Sequence, residues 1–281
     1  MAETPEPLQP ILAAHLFPEL EARLLELLRS LGGDDWDKQT LAPAWKVKDV
    51  AAHLLDTALR KLSLVRDGHT PSPPAIRSHD DLVAFINRLN HEGVQVYRRL
   101  SPPVLIELME SASGRIVAFH EALDPFAEAA FPVEWAGEEK SLNWFDTARE
   151  LTERWHHQQQ IRLAVGKPGI MTREFYFPVL DCFLRALPFA YRNVRAKPGA
   201  LARFNVAGEC GGSWFLYRHN ETWQLVGAPF GDQVSETTIP QEIAWRVFTK
   251  GIGPEEARAQ VQVAGDAAVG LHILEMIAII G

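Results

Sequence analysis

The sequence predicts an all-α N-terminal half, arranged as a four-helix bundle, followed by an α+β half. Three observations predict it. Apolar residues recur at helical spacing through most of the first 165 positions. Gly166-Lys167-Pro168-Gly169 then forms a strong helix terminator, and short alternating segments that read as strands occur only after residue 200. The boundary falls near 166–171, giving a helical unit over 1–168 and an α+β unit over 169–281.

Residues 16–31 repeat Leu at helical spacing and end in Gly32-Gly33, which predicts an amphipathic helix with a glycine stop. A loop over 34–45 leads to a second helix, 46–66, whose stripe includes Val47, Val50, Ala51, Leu54, Leu55 and Ala58. Residues 68–78 are a proline-rich break. The third helix, 80–100, carries Leu82, Phe85, Ile86, Leu89, Val96 and Tyr97 on its apolar side. Ser101-Pro102-Pro103 reads as an N-cap followed by prolines in the first turn of a fourth helix, which runs to about 123. Residues 124–141 are a loop or short hairpin, and a fifth helix runs over 142–165.

In the second half, 171–194 reads as a helix kinked or ended by Pro188. Residues 201–206, 213–218 and 221–226 read as strands, with His219-Asn220 as a turn. A helix over 239–250, a short strand over 261–264 and a closing helix over 266–280 complete the chain.

Composition narrows the function. With 36 acidic and 28 basic residues the net charge is −8, which argues against nucleic-acid binding, since that needs clustered Lys and Arg to displace counterions. A hydrophobic content of 47% supplies ample core. Cys182 and Cys210 form no metal-type cluster and read as free thiols of a reducing compartment. The acidic, proline-bearing N-terminus lacks the pattern of a signal peptide, and the apolar run 271–280 is half the length of a membrane span. The expectation is a cytoplasmic protein with no membrane partner, a monomer or a homodimer.

Chemistry concentrates in two helices. In the fifth, Glu153 and His157 lie four apart, on one face and one turn apart. Trp144, Ala148, Leu151 and Trp155 form an apolar stripe, and Asp146, Glu150, Glu153, His157 and Gln160 lie roughly opposite. In the second, Asp49, His53, Asp56 and Arg60 make a polar line beside the apolar stripe. Each line alone is compatible with an ordinary solvated face. Facing one another in a bundle, the two lines become a shared internal pocket, where two imidazoles and a carboxylate suit a divalent ion with one open position. Zinc fits this set, as do nickel and iron(II). Asp56 and Glu150 are candidates for orienting a ligating imidazole. His156 points about 100° away from His157 and, like His91 and His120, reads as packing or surface.

The stretch LAPAWKVKDVAAHLLD resembles the signature of DinB-like metalloproteins, and more closely that of the mycothiol-dependent maleylpyruvate isomerase family. In that family a Trp, a Val and an Asp lead into a ligand His on the second helix, the place of His53. A later Glu, a His and a helix-ending Gly are matched in order by Glu153, His157 and Gly166. The family pattern includes an Asp after that His, where this chain has Gln160. FYFPVLDCFLRALPFAYRNV, WRVFTKGIGPEEA and VQVAGDAAVGLHIL are similar to the C-terminal domain of longer members, which is akin to sterol-carrier-like domains.

The resemblance implies metal ligands His53, Glu153 and His157, a low-molecular-weight thiol such as mycothiol as cofactor, and a small electrophilic substrate. A divalent cation favours the deprotonated thiol. Thiolate addition to an alkene, rotation and elimination give cis–trans isomerisation; displacement gives thiol transfer; hydroxide in the open position gives hydrolysis. An anionic substrate would need a cation, for which Arg88 on the third helix is the candidate. The competing reading from another class is a module binding a small or lipid-like ligand, with a structural or vestigial metal site.

Overall fold

Helix α1 (Phe17–Arg29) carries Pro18 in its first turn, where a missing N–H costs no helical bond. A computed structural model describes residue 6 and residues 8–70 and 75–279, so part of the proline-rich break lies outside the described residues. Helix α2 (Val47–Lys61) is fixed at its start by Asp49, whose carboxylate accepts from the Lys46 backbone N–H at 3.0 Å and pairs with Arg98 at 3.2 Å. Its last predicted turn, Leu62–Arg66, is wound as a π-helix.

Leu24, Leu28, Val50, Leu54, Leu105, Met109 and Ile161 pack into one core supplied by α1, α2, α4 (Pro102–Ala122) and α5 (Asn143–Val165). With the core closed by these four, α3 (His79–Tyr97) is left as an outer layer on α2. Only Gly93 and Val94 of α3 are buried, and its predicted stripe stays half-buried, with Val96 exposed. Gly93 permits the approach to α2: a Cβ there would fall 2.2 Å from Cγ of Asp56. Residues 124–141 form a loop with a 3-10 turn at Glu134–Ala136 and an isolated bridge between Glu128 and Leu142.

Helix α5 ends at Gly166, whose φ of 67° is left-handed and suits glycine. The expected contrast between an apolar and a polar face is absent, because nearly all of α5 is buried. Trp155 stacks on Tyr176 with ring centres 4.4 Å apart, meets Trp245 edge-on at 5.9 Å, and donates its indole N–H to the Ile170 carbonyl. A single hydrophobic core thus runs from α1 and α5 into the second half.

The predicted helix over 171–194 divides into α6 (Arg173–Leu184) and α7 (Leu187–Ala190), with Pro188 in the first turn of the latter. Strands β1 (Ala200–Ala207), β2 (Gly212–His219), β3 (Thr222–Val226), β4 (Asp232–Pro240) and β5 (Gln262–Gly265) form one sheet in the order β3-β2-β1-β4-β5. β1 and β4 are parallel and all other pairs antiparallel. β4 goes unpredicted because two of its inward side chains are Ser235 and Thr237 rather than large apolar residues. Their hydroxyls donate to the Asp266 and Gly270 carbonyls, and α10 (Ala267–Leu271) packs close enough that a Cβ on Gly270 would meet both.

The helix expected from 239 starts at residue 241 as α8 (Gln241–Phe248), since β4 occupies 239 and 240. Helix α9 (Pro254–Gln260), not anticipated, opens with a proline and two glutamates. The closing helix is shorter than expected: α10 passes into a 3-10 turn, His272–Glu275, and the chain is extended from Met276, with residue 280 outside the described residues. Among the described residues, no helix is long and apolar enough to cross a membrane.

Candidate metal centre

The Trp45–Asp49–His53 spacing has a physical reading. Asp49 ties down the first turn of α2, and His53, one turn on, points into the bundle with only 3% of its surface exposed. Trp45, just before the helix, lies over both imidazoles, at 4.7 Å from the His53 ring and 5.9 Å from the His157 ring. On α5, His157 is buried and Glu153 half-buried.

The two helices bring the predicted residues together. The His53 and His157 rings meet edge to face at 4.6 Å, and His157 Nε2 lies 3.6 Å from Glu153 Oε2. One ligand atom from each of His53, Glu153 and His157 lies within 4.8 Å of the others. Tetrahedral zinc with bonds of about 2.0–2.1 Å holds neighbouring ligand atoms about 3.4 Å apart, so small side-chain rotations close the set. The chemistry of the donors fits as well: Nδ1 of His53 is buried and has no hydrogen-bond partner among the described residues.

Electrostatics favour ligation. Burial, then the neighbouring His157, Arg60, His156 and Arg154, push the His53 pKa well below the ordinary imidazole value, so the ring is neutral at neutral pH and one of its nitrogens carries a free lone pair. Burial works to raise the Glu153 carboxyl, but its polar and charged neighbours, the Arg149 guanidinium among them, hold it below its usual range and keep it anionic.

His157 Nδ1 meets Gln160 Oε1 at 3.0 Å. With Nδ1–H donating to that amide oxygen, Nε2 is left as the acceptor nitrogen on the Glu153 side. Orientation therefore comes from Gln160, and neither of the two carboxylates expected for it takes part in this contact. Asp56 pairs with Arg60 at 2.8 Å. Glu150 belongs to a buried quartet: Lys61 lies 2.6 Å from Asp146 and 3.4 Å from Glu150, and Arg149 reaches both carboxylates at 2.5 and 2.8 Å. Sequence reasoning missed Lys61 and Arg149; the only available signal was that four charges would line one side of a helix pair.

The remaining sequence candidates fall elsewhere. Arg88 is exposed on α3, with its guanidinium 5.5 Å from the Phe85 ring centre. His156 is buried, with Nδ1 2.8 Å from the Thr152 carbonyl, and burial followed by His157 pulls its pKa down to about 3. His120 is buried too, stacked on Phe17 with Nδ1 3.2 Å from the Thr147 hydroxyl; His91 is exposed. Cys182 and Cys210 are buried free thiols.

A helical bundle with an interior His–His–Glu set, fused to a five-stranded mixed sheet, defines a class of bundle proteins able to hold a divalent cation. Within that class the chain belongs to the mycothiol maleylpyruvate isomerase N-terminal domain family, whose profile matches residues 17–162, from the start of α1 to the last turn of α5. Two crystal structures share the fold over 90% of this chain and 92% of theirs, each at 13% identity. One is a histidine-to-alanine variant of the mycothiol-dependent maleylpyruvate isomerase, with a TM-score of 0.53, and the other is that isomerase itself, at 0.50. No curated protein matches the chain at a significant level.

Proposed function

We propose that this protein is a metal- and thiol-dependent isomerase or S-transferase. It would use mycothiol or a similar low-molecular-weight thiol on a small electrophilic substrate. The observation that carries the reading is the interior convergence of His53, Glu153 and His157 inside the domain that defines the family. These three residues are the proposed metal ligands, and zinc the proposed ion.

A bound divalent cation would supply a positive charge that favours the thiolate form of the cofactor. The chain's own residues do the rest. Glu153 contributes the single negative charge of the ligand set. Gln160 fixes which nitrogen of His157 faces inward. Trp45 covers the two imidazoles with an apolar surface and limits access of water to that side. Isomerisation then needs a substrate alkene held beside the thiolate for addition, rotation about the resulting single bond, and elimination.

Elemental analysis of the purified protein tests the metal: about one zinc per chain is expected, and a marked loss in His53→Ala. Thermal-shift titration of the zinc-loaded protein with mycothiol, bacillithiol and glutathione tests the thiol. Stabilisation by at least one thiol, abolished in His53→Ala, is expected. Metal-loaded protein that no thiol stabilises would refute the thiol-dependent reading and favour metal-dependent hydrolysis.

A further inference from the structure

A cavity of about 410 Å³ shares no residue with the metal centre. Its walls come from the start of α3, the turn at Trp135, the end of α7, Lys250 and the extended tail from Met276. We propose that it binds a small amphipathic organic anion, with the acid group on Arg192 and the hydrocarbon body between Trp135 and Ile277.

The size lies within the 300–1,000 Å³ range of small-molecule sites. The charge is arranged for an anion although the chain as a whole carries −8. Arg192 lines the cavity, and the one carboxylate among the described lining residues, Glu275, lies 3.2 Å from Nδ1 of His272. Arg192 has no carboxylate partner among the described residues. Its guanidinium is nevertheless held in place, with Cζ 4.0 Å above the Phe189 ring centre and Nη1 donating to the Phe189 carbonyl at 2.6 Å. Among the described residues no other hydrogen bond engages it, which leaves its remaining N–H groups to grip a planar acid from two directions.

The rest of the lining is mostly apolar. Phe189 and Ile277 are among the few large hydrophobic side chains the fold leaves exposed, and both face this cavity, as does the buried ring of Trp135. The Trp135 indole N–H is buried and has no hydrogen-bond partner among the described residues.

The test uses 4-phenylbutyrate and its uncharged counterpart 4-phenylbutanol, titrated into the full chain by calorimetry with and without saturating zinc. The acid is expected to bind more tightly than the alcohol, independently of zinc. Arg192→Gln, at an exposed position, should weaken the acid roughly five- to tenfold and leave the alcohol unchanged. Ile277→Asp should weaken both. Wild-type protein that binds the acid no tighter than roughly 10 mM would overturn the proposal. So would Arg192→Gln protein with wild-type affinity for the acid, or an affinity that depends on zinc, which would place the acid at the metal centre instead.

Discussion

Replacing Gln160 by leucine isolates the contribution of one hydrogen bond to the metal centre. The His157–Gln160 contact is 3.0 Å long, and both side chains are more than nine-tenths buried, so little solvent competes for it. Leucine is similar in size and leaves no buried polar group at its own position. It does leave His157 Nδ1 without its acceptor, so the imidazole can rotate or present the wrong tautomer. Loss of such an outer partner lowers metal affinity by about 10- to 100-fold, equivalent to about 1.4–2.7 kcal/mol. Because the lost acceptor is a neutral amide, the expected effect is near tenfold. Gln160→Glu provides the opposite perturbation: a carboxylate acceptor makes roughly twice as strong a bond and should tighten zinc binding. Competition against a chromogenic chelator reads both affinities, and a circular dichroism melt of each apo-protein shows that the fold is retained. A folded Gln160→Leu protein that binds zinc as tightly as wild type would refute the argument that Gln160 sets the imidazole.

Lys61→Met leaves Asp146 and Glu150 buried with Arg149 as their only ion-pair partner among the described residues, and urea unfolding should show a loss of about 3 kcal/mol, the lower end for breaking a buried ion network. His120 has its pKa lowered to about 4, chiefly by burial, against an unfolded value near 6.5. The unfolded chain therefore binds the proton first, and stability is lost as pH falls from about 6.5 to about 4, at up to about 1.4 kcal/mol per pH unit. Urea titrations across that window should show a shallower slope in His120→Asn. A chain cut after residue 168 exposes the faces that Trp155 and Phe17 bury in the shared core. It is expected to melt lower than the full chain and to bind a hydrophobic dye; a cut protein as stable as the whole would show that the helical unit stands alone.

Most helices were legible because their ends carry chemistry that acts locally. Gly166 suits a left-handed turn, and Pro102 suits a first turn, whereas Pro188, read as a kink or an end, instead opens α7. The pairing of Glu153 with His157 was legible for the same reason, since four residues make one helical turn. That His53 meets them was not derivable from either helix alone and rested on the family resemblance. The wheel of α5 misled: Asp146, Glu150 and Gln160 have the look of a solvated side, yet each is buried because α2 and α4 cover it with partners such as Lys61 and His120. β4 was hidden by Ser235 and Thr237, whose burial depends on carbonyls about thirty residues away.

Trp155 sits between Glu153 and His157 in the sequence but on the other side of the same helical turns, locked against Tyr176 and Trp245. Each residue of an α-helix advances the side-chain direction by 100°, so α5 cannot turn at its seam with the sheet-bearing half without sweeping both ligands through the same angle. The sheet-bearing half is thereby a clamp on the geometry of the proposed metal site. Exchanging it for a different domain would alter the setting of the proposed metal site even with His53, Glu153 and His157 left in place.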